Sequence, residues 1–326
     1  MSAGECAGVV DSHKSNLQQF IEIAFAGIGP PLLSGPQACR LYDIGRNLPT
    51  VERGLLEFRL ADTETAVDLS VCFKRDDPAI RKSGHVAPMV EGGRIWEQVN
   101  HLTSEWRRED SALGRHTKEL WWDFDLDRHD YAEYRPPSIF LRPDGSNLDH
   151  LESARKGSLL IDILAPSLGH ETAARMNRRL QQVLEQLTDD VGLSYLGLML
   201  PREAQPLRIQ VSPFRIEKLG ELVDMLGQSE CSRAIHGAAR LCRSHFDTCV
   251  LSIDVADSVM PRLGLELFPR QEGRAESINQ FLRVLTSTGL CSAGVAEQIR
   301  GCDRMMTPTS CAAEWPQQFI VDALLE

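Results

Sequence analysis

The sequence has no apolar run near the ~18 residues that a membrane-spanning helix needs, which argues against a helical membrane protein. Its opening, Met-Ser-Ala-Gly-Glu-Cys, carries no basic stretch leading into an apolar core, so no secretory signal is expected. The nine cysteines include no CxxC pair, and neither they nor the nine histidines fall at zinc-ligand spacings. An odd number scattered from Cys6 to Cys311 is not the pattern of a small disulfide framework. Reduced thiols in a cytoplasm are the expectation. Gly-rich phosphate loops are missing too: Gly27-Ile28-Gly29-Pro30-Pro31 has no lysine and starts no regular helix. Nucleophile-elbow, HExxH and EF-hand patterns are absent. A net charge of −11 argues against a nucleic-acid backbone or an anionic membrane as the main partner.

What is present is an ordinary globular composition with 42% hydrophobic residues, enough for a sizeable core in 326 residues. No linker or low-complexity stretch interrupts it, so one domain is expected over 1–300, with 301–326 a weakly structured tail. Helical spacing of Leu17, Phe20, Ile21 and Phe25 predicts a helix near Ser15–Ala26, which Gly27 and Pro30-Pro31 end and Gly35-Pro36 keeps broken. Further helices are expected at 94–108, 148–164, 171–187, 216–226, 231–246, 275–285 and 292–300. Within 148–164, the apolar run Ser158–Leu164 also suits a strand.

Between these helices stand four pairs of short strands. They are Leu55–Leu60 with Val67–Lys74, Leu120–Leu126 with Ser138–Arg142, Tyr195–Leu200 with Leu207–Ser212, and Val250–Val255 with Leu263–Phe268. Side chains alternate along a strand, so parity assigns faces. One face collects residues such as Leu69, Val71, Phe73, Trp122, Phe124, Leu196, Ile209 and Ile253. The other collects Glu57, Arg59, Asp68, Ser70, Lys74, Asp123, Asp125, Arg142, Arg208, Gln210, Asp254, Arg262 and Glu266. Two arrangements satisfy this split. An open antiparallel sheet would show the polar face to water; a barrel with helices outside would enclose it.

Helix, strand, strand, helix, repeated with such a polar face, resembles the prenyltransferase barrel, the αββα fold of aromatic and cyanobactin-type peptide prenyltransferases. The resemblance covers about Leu55–Phe268 and is one of architecture. It implies an α+β fold: an antiparallel β-barrel of repeated αββα units with the helices outside. The family has five such units and this chain shows four, the tail offering one weak strand at Phe319–Leu324, so the fifth repeat is incomplete or missing.

The activity it implies is prenyl transfer from an allylic diphosphate to an aromatic or peptide acceptor, in natural-product biosynthesis. Cations converging from several strands would stabilise the departing diphosphate, and Arg59, Lys74, Arg142, Arg208 and Arg262 come from five different strands. Their alternative role is to pair with acids on neighbouring strands. Glu57 is the candidate general base. Asp123, Asp125, Asp254 and Glu266 would contact the acceptor or a Mg²⁺ ion held through the diphosphate. A non-catalytic protein that binds a peptide or small ligand on the same face is the alternative.

Overall fold

The computed structural model describes residues 16–27, 35–48, 51, 53–58, 67–73, 93–126, 136–144, 153–187, 191–202, 206–226, 229–256, 259–269 and 273–302. Helices and strands come in alternating pairs. The order is α1 (Asn16–Gly27), α2 (Gly35–Asn47), β1 (Arg53–Phe58), β2 (Val67–Phe73), α3 (Arg94–Arg107), α4 (Ala112–His116), β3 (Thr117–Leu126) and β4 (Ser138–Pro143). There follow α5 (Ser153–Leu168), α6 (His170–Leu184), β5 (Leu193–Leu198), β6 (Leu207–Arg215), a 3-10 turn (Ile216–Lys218), α7 (Leu219–Met225) and α8 (Ser229–Cys242). The order ends with β7 (Phe246–Val255), β8 (Val259–Pro269), α9 (Arg274–Ser287) and α10 (Ala293–Cys302). The eight strands form one antiparallel sheet in sequence order, each bonded to the next.

The chain gathers into two compact units, and β3 contributes to both. One comprises Met1–Glu91, Asp123–Arg135 and Leu282–Ala323; the other comprises Gly92–Trp122, Pro136–Phe281 and Leu324–Glu326. In the first, α1 and α2 bury Leu17, Ile21, Leu41 and Ile44, and β2 is buried along its whole length. In the second, α3 buries Trp96, Val99, Leu102 and Trp106, and the Trp96 ring meets Trp122 of β3 edge-on at 6.2 Å. Both deeply buried indoles have acceptors. Trp122 Nε1 donates to Thr103 Oγ1 at 3.2 Å, and Trp106 Nε1 to the Thr117 carbonyl at 3.3 Å. Further along, Phe246 and Phe281 pack edge to face at 4.9 Å.

Several elements differ from the sequence expectation. The Gly35-Pro36 pair opens α2 instead of prolonging a break, because proline at the first helical position gives up an N–H that has no helical partner anyway. Leu41, Ile44 and Leu48 then supply its buried stripe. Strand β3 starts at Thr117, three residues before the expected Leu120, directly after the short helix α4 that Ser111 caps by accepting from the Gly114 amide. Phe246 begins β7 and is not the last residue of a helix; it is buried against Phe281. Residues 153–168 resolve as helix α5. Cys39 on α2 is disulfide-bonded, which corrects the expectation of nine reduced thiols, since sequence spacing does not report which thiols a fold brings together. Cys72, Cys242, Cys249 and Cys291 are free and buried. Burial pushes the Cys242 thiol up to about 11 and the Cys249 thiol up to about 12, which leaves both unreactive. Among the described residues no helix is long and apolar enough to cross a membrane. The strand expected at Phe319–Leu324 lies outside the described residues.

The register makes the two faces explicit. Leu69, Val71, Trp122, Leu196, Leu198, Leu207, Ile209, Leu251 and Ile253 are at most 1% exposed. On the opposite face Glu57 stands across from Asp68, Gly197 across from Arg208, Arg208 across from Asp254 and Ser252 across from Gly264. This polar face is also largely withdrawn from water: Asp68, Ser70, Glu119, Ser252 and Asp254 are all buried. A glycine makes one crowded part of it possible. A Cβ at Gly197 would stand 2.6 Å from Phe140 Cε1 and 2.8 Å from its Cδ1. Gly197→Ala is therefore expected to cost about 1–3 kcal/mol in urea unfolding, with Phe140→Leu in the same chain recovering most of the loss. An unchanged midpoint for the single variant would show that the ring moves aside freely.

Candidate functional site

Within the first unit, three neighbouring strands bring four carboxylates together. Glu57 comes from β1, Asp68 from β2, and Asp123 and Asp125 from β3. Ser70 links them, its hydroxyl lying 3.1 Å from Glu57 Oε1 and 2.8 Å from Asp123 Oδ1. A hydroxyl has one proton, so it donates to one carboxylate at a time and meets the other through that group's own proton. Asp68 is fixed separately, accepting from the Leu126 amide at 3.1 Å. Burial first, and then the charges of Glu57, Asp125 and Asp68, push the Asp123 carboxyl from 3.8 up to about 8, while the Ser70 hydrogen bond works the other way. Asp123 thus holds a proton at neutral pH beside a carboxylate, the arrangement in which like charges share one proton. At the edge of this group the Arg53 guanidinium reaches Cys72 Sγ at 3.7 Å.

The second unit carries charge pairs on the same parity. Asp254, 5% exposed at its side chain, is gripped by Arg208 through Nε at 2.7 Å and Nη2 at 3.0 Å, and receives Arg202 Nη1 at 3.1 Å. Gln210 Nε2 donates to Glu266 Oε1 at 2.7 Å. Burial raises the Glu266 carboxyl above its ordinary value, against the opposing pull of Arg208 and the Gln210 bond. Arg142 pairs with Glu119 at 2.9 Å. Glu119 also accepts from the Tyr195 hydroxyl at 3.1 Å and from Trp121 Nε1 at 3.2 Å.

Of the sequence candidates, Glu57, Asp123 and Asp125 meet in the first unit, while Arg142, Arg208, Asp254 and Glu266 lie in the second. Arg208 and Asp254 bind one another. Arg59 and Lys74 fall outside the described residues, and the Arg262 side chain is not described. Ser70, Glu119, Trp121, Tyr195 and Arg202 were not singled out by sequence. Extending the β3 alternation backwards from Asp123 would have reached Trp121 and Glu119, and Tyr195 shares parity with Gly197. For Arg202, at a turn after β5, no pattern pointed to it.

Among the described residues no three His, Cys, Asp or Glu side chains converge as ligands for a metal ion. No family model, curated protein or solved structure matches the chain.

Proposed function

We propose that Glu57, Ser70 and Asp123 form a proton-accepting site, and that the chain transfers a prenyl group from an allylic diphosphate to an aromatic or peptide acceptor. The observation that carries the reading is the Ser70 hydroxyl set between Glu57 and an Asp123 carboxyl pushed up to about 8. A carboxyl that titrates near neutral pH is matched to taking and returning a proton, and Glu57 is the neighbouring carboxyl group assigned to receive it from an acceptor nucleophile. The alternation of helix and strand pairs supports the αββα assignment, since each strand pair has a helix before and after it: α2 and α3, α4 and α5, α6 and α7, α8 and α9. On this reading four αββα units make up the barrel and a fifth is missing. Arg59 and Lys74, which belong to the same unit as Glu57, are the cations assigned to the diphosphate.

One observation favours a second reading, a non-catalytic protein that binds a peptide or small ligand. Arg208 is held by Asp254 and Arg142 by Glu119, so each of these cations already faces a counter-charge.

Incubation with dimethylallyl or geranyl diphosphate and a panel of aromatic and peptide acceptors separates the two. Transfer should appear as the prenyl mass on an acceptor, and Glu57→Gln should lower turnover about 100-fold or more while the protein melts as before. Saturable binding of an acceptor with no product from any donor would replace the transferase by the binding protein.

A further inference from the structure

We propose that Arg142, Tyr195 and Trp121 form a binding subsite for a monocarboxylate carried on a planar apolar body. All the residues involved belong to the second unit. Three side chains from three strands converge on the buried Glu119. Arg142 of β4 uses its Nη1 on Oε1, while Tyr195 of β5 and Trp121 of β3 both donate to Oε2. The guanidinium also lies over the Tyr195 ring, with Cζ 5.8 Å from the centroid.

These contacts hold the plane of Arg142 in place and use one of its nitrogens. Among the described residues, Nε and Nη2 donate to nothing, and the side chain is 43% exposed. That edge is a ready fork for two carboxylate oxygens, and it is the edge by which Arg208 grips Asp254 in this same unit. The stacking on Tyr195 is a second anchor, beyond what neutralising Glu119 requires.

The charge of the subsite selects the anion. Arg142 brings one positive charge that already faces Glu119, so it suits a single carboxylate better than a diphosphate with its two or three negative charges. The half-buried rings of Trp121 and Tyr195 offer apolar flanks, and Phe140 follows on the same parity of β4, packed over Gly197. A small aromatic acid meets these requirements. The subsite draws all its residues from the second unit and does not depend on prenyl transfer.

The test uses the full chain with benzoate as probe, followed by ligand-observed NMR and calorimetry, and with pyrophosphate as competitor. Wild type should bind benzoate saturably in the millimolar range. Arg142→Gln should weaken that binding about tenfold or more, and Arg142→Lys several-fold, because lysine keeps the charge and loses the fork. Both variants should melt close to wild type, since Arg142 is half-exposed. Failure of wild type to bind benzoate would overturn the proposal, as would equal binding by Arg142→Gln. Undiminished binding by Arg142→Lys, or pyrophosphate that binds more tightly and displaces benzoate, would overturn the carboxylate fork.

Discussion

Asp123→Asn is expected to raise the melting temperature at pH 9 by roughly 3 °C and to leave it unchanged at pH 4. The folded chain holds the Asp123 proton up to about 8, whereas the unfolded chain releases it near 3.8. Between those values the native state binds the extra proton, so the stability of the wild type falls as pH rises and is lowest above about 8. Asparagine keeps the shape and an oxygen for Ser70 but does not titrate, so the penalty disappears where it was largest. A separation of about 4 pH units sets an upper limit of roughly 6 kcal/mol. Glu57, Asp68 and Asp125 still lie together in the variant, so about 2 kcal/mol of relief is the expected share, or roughly 3 °C for a chain of this size. Thermal melts of both proteins across pH 4–9 check this. Parallel curves would show that Asp123 ionises normally, and would remove the proton-accepting site with it. The same substitution should abolish turnover if the site acts as proposed, the trade of stability for chemistry that functional sites show.

The opposite sign is expected for Asp254→Ala, with a loss of about 3–5 kcal/mol in urea unfolding. Asp254 is nearly inaccessible, and two guanidiniums converge on it, Arg208 through two hydrogen bonds and Arg202 through one. Removing the carboxylate leaves two charges that are 21% and 28% exposed with their main counter-charge gone. Much of the cost lies in those stranded cations and not in the attraction itself. Arg202→Ala should cost far less, within about 1 kcal/mol, because Asp254 keeps its bidentate partner and the lost side chain was the more exposed of the two. Equal losses for the two variants would mean that Arg202 carries the contact.

Much of the molecule was legible residue by residue. The strand pairs overlap the segments that alternation predicted, with β1 and β5 each beginning two residues early, β3 three, and β7 and β8 four. The helices at 16–27, 94–107 and 170–184 follow the spacing of their apolar residues. Failures arose where a local signal has two meanings. Gly-Pro both breaks and begins helices, and at Gly35-Pro36 it begins one. Phe246 satisfies the apolar spacing of α8, yet its burial against Phe281 places it in β7. Glu119 went unnoticed because the strand was started one residue after it, which removed the one carboxylate on which Arg142, Tyr195 and Trp121 converge.

Sequence by itself determined the order of elements and which side of each strand is apolar, because both follow from periods of two and 3.6 residues that neighbours along the chain enforce. Only the tertiary structure decided which polar groups meet. Ser70 and Asp123 are 53 positions apart, Glu119 and Tyr195 are 76 apart, and Arg208 and Asp254 are 46 apart. No local period links such positions; strand register does, by placing one side chain opposite another. Five cations of one parity were therefore predictable as a face. That Arg208 is committed to Asp254, while Arg142 keeps one edge open, follows from the pairing of strands alone.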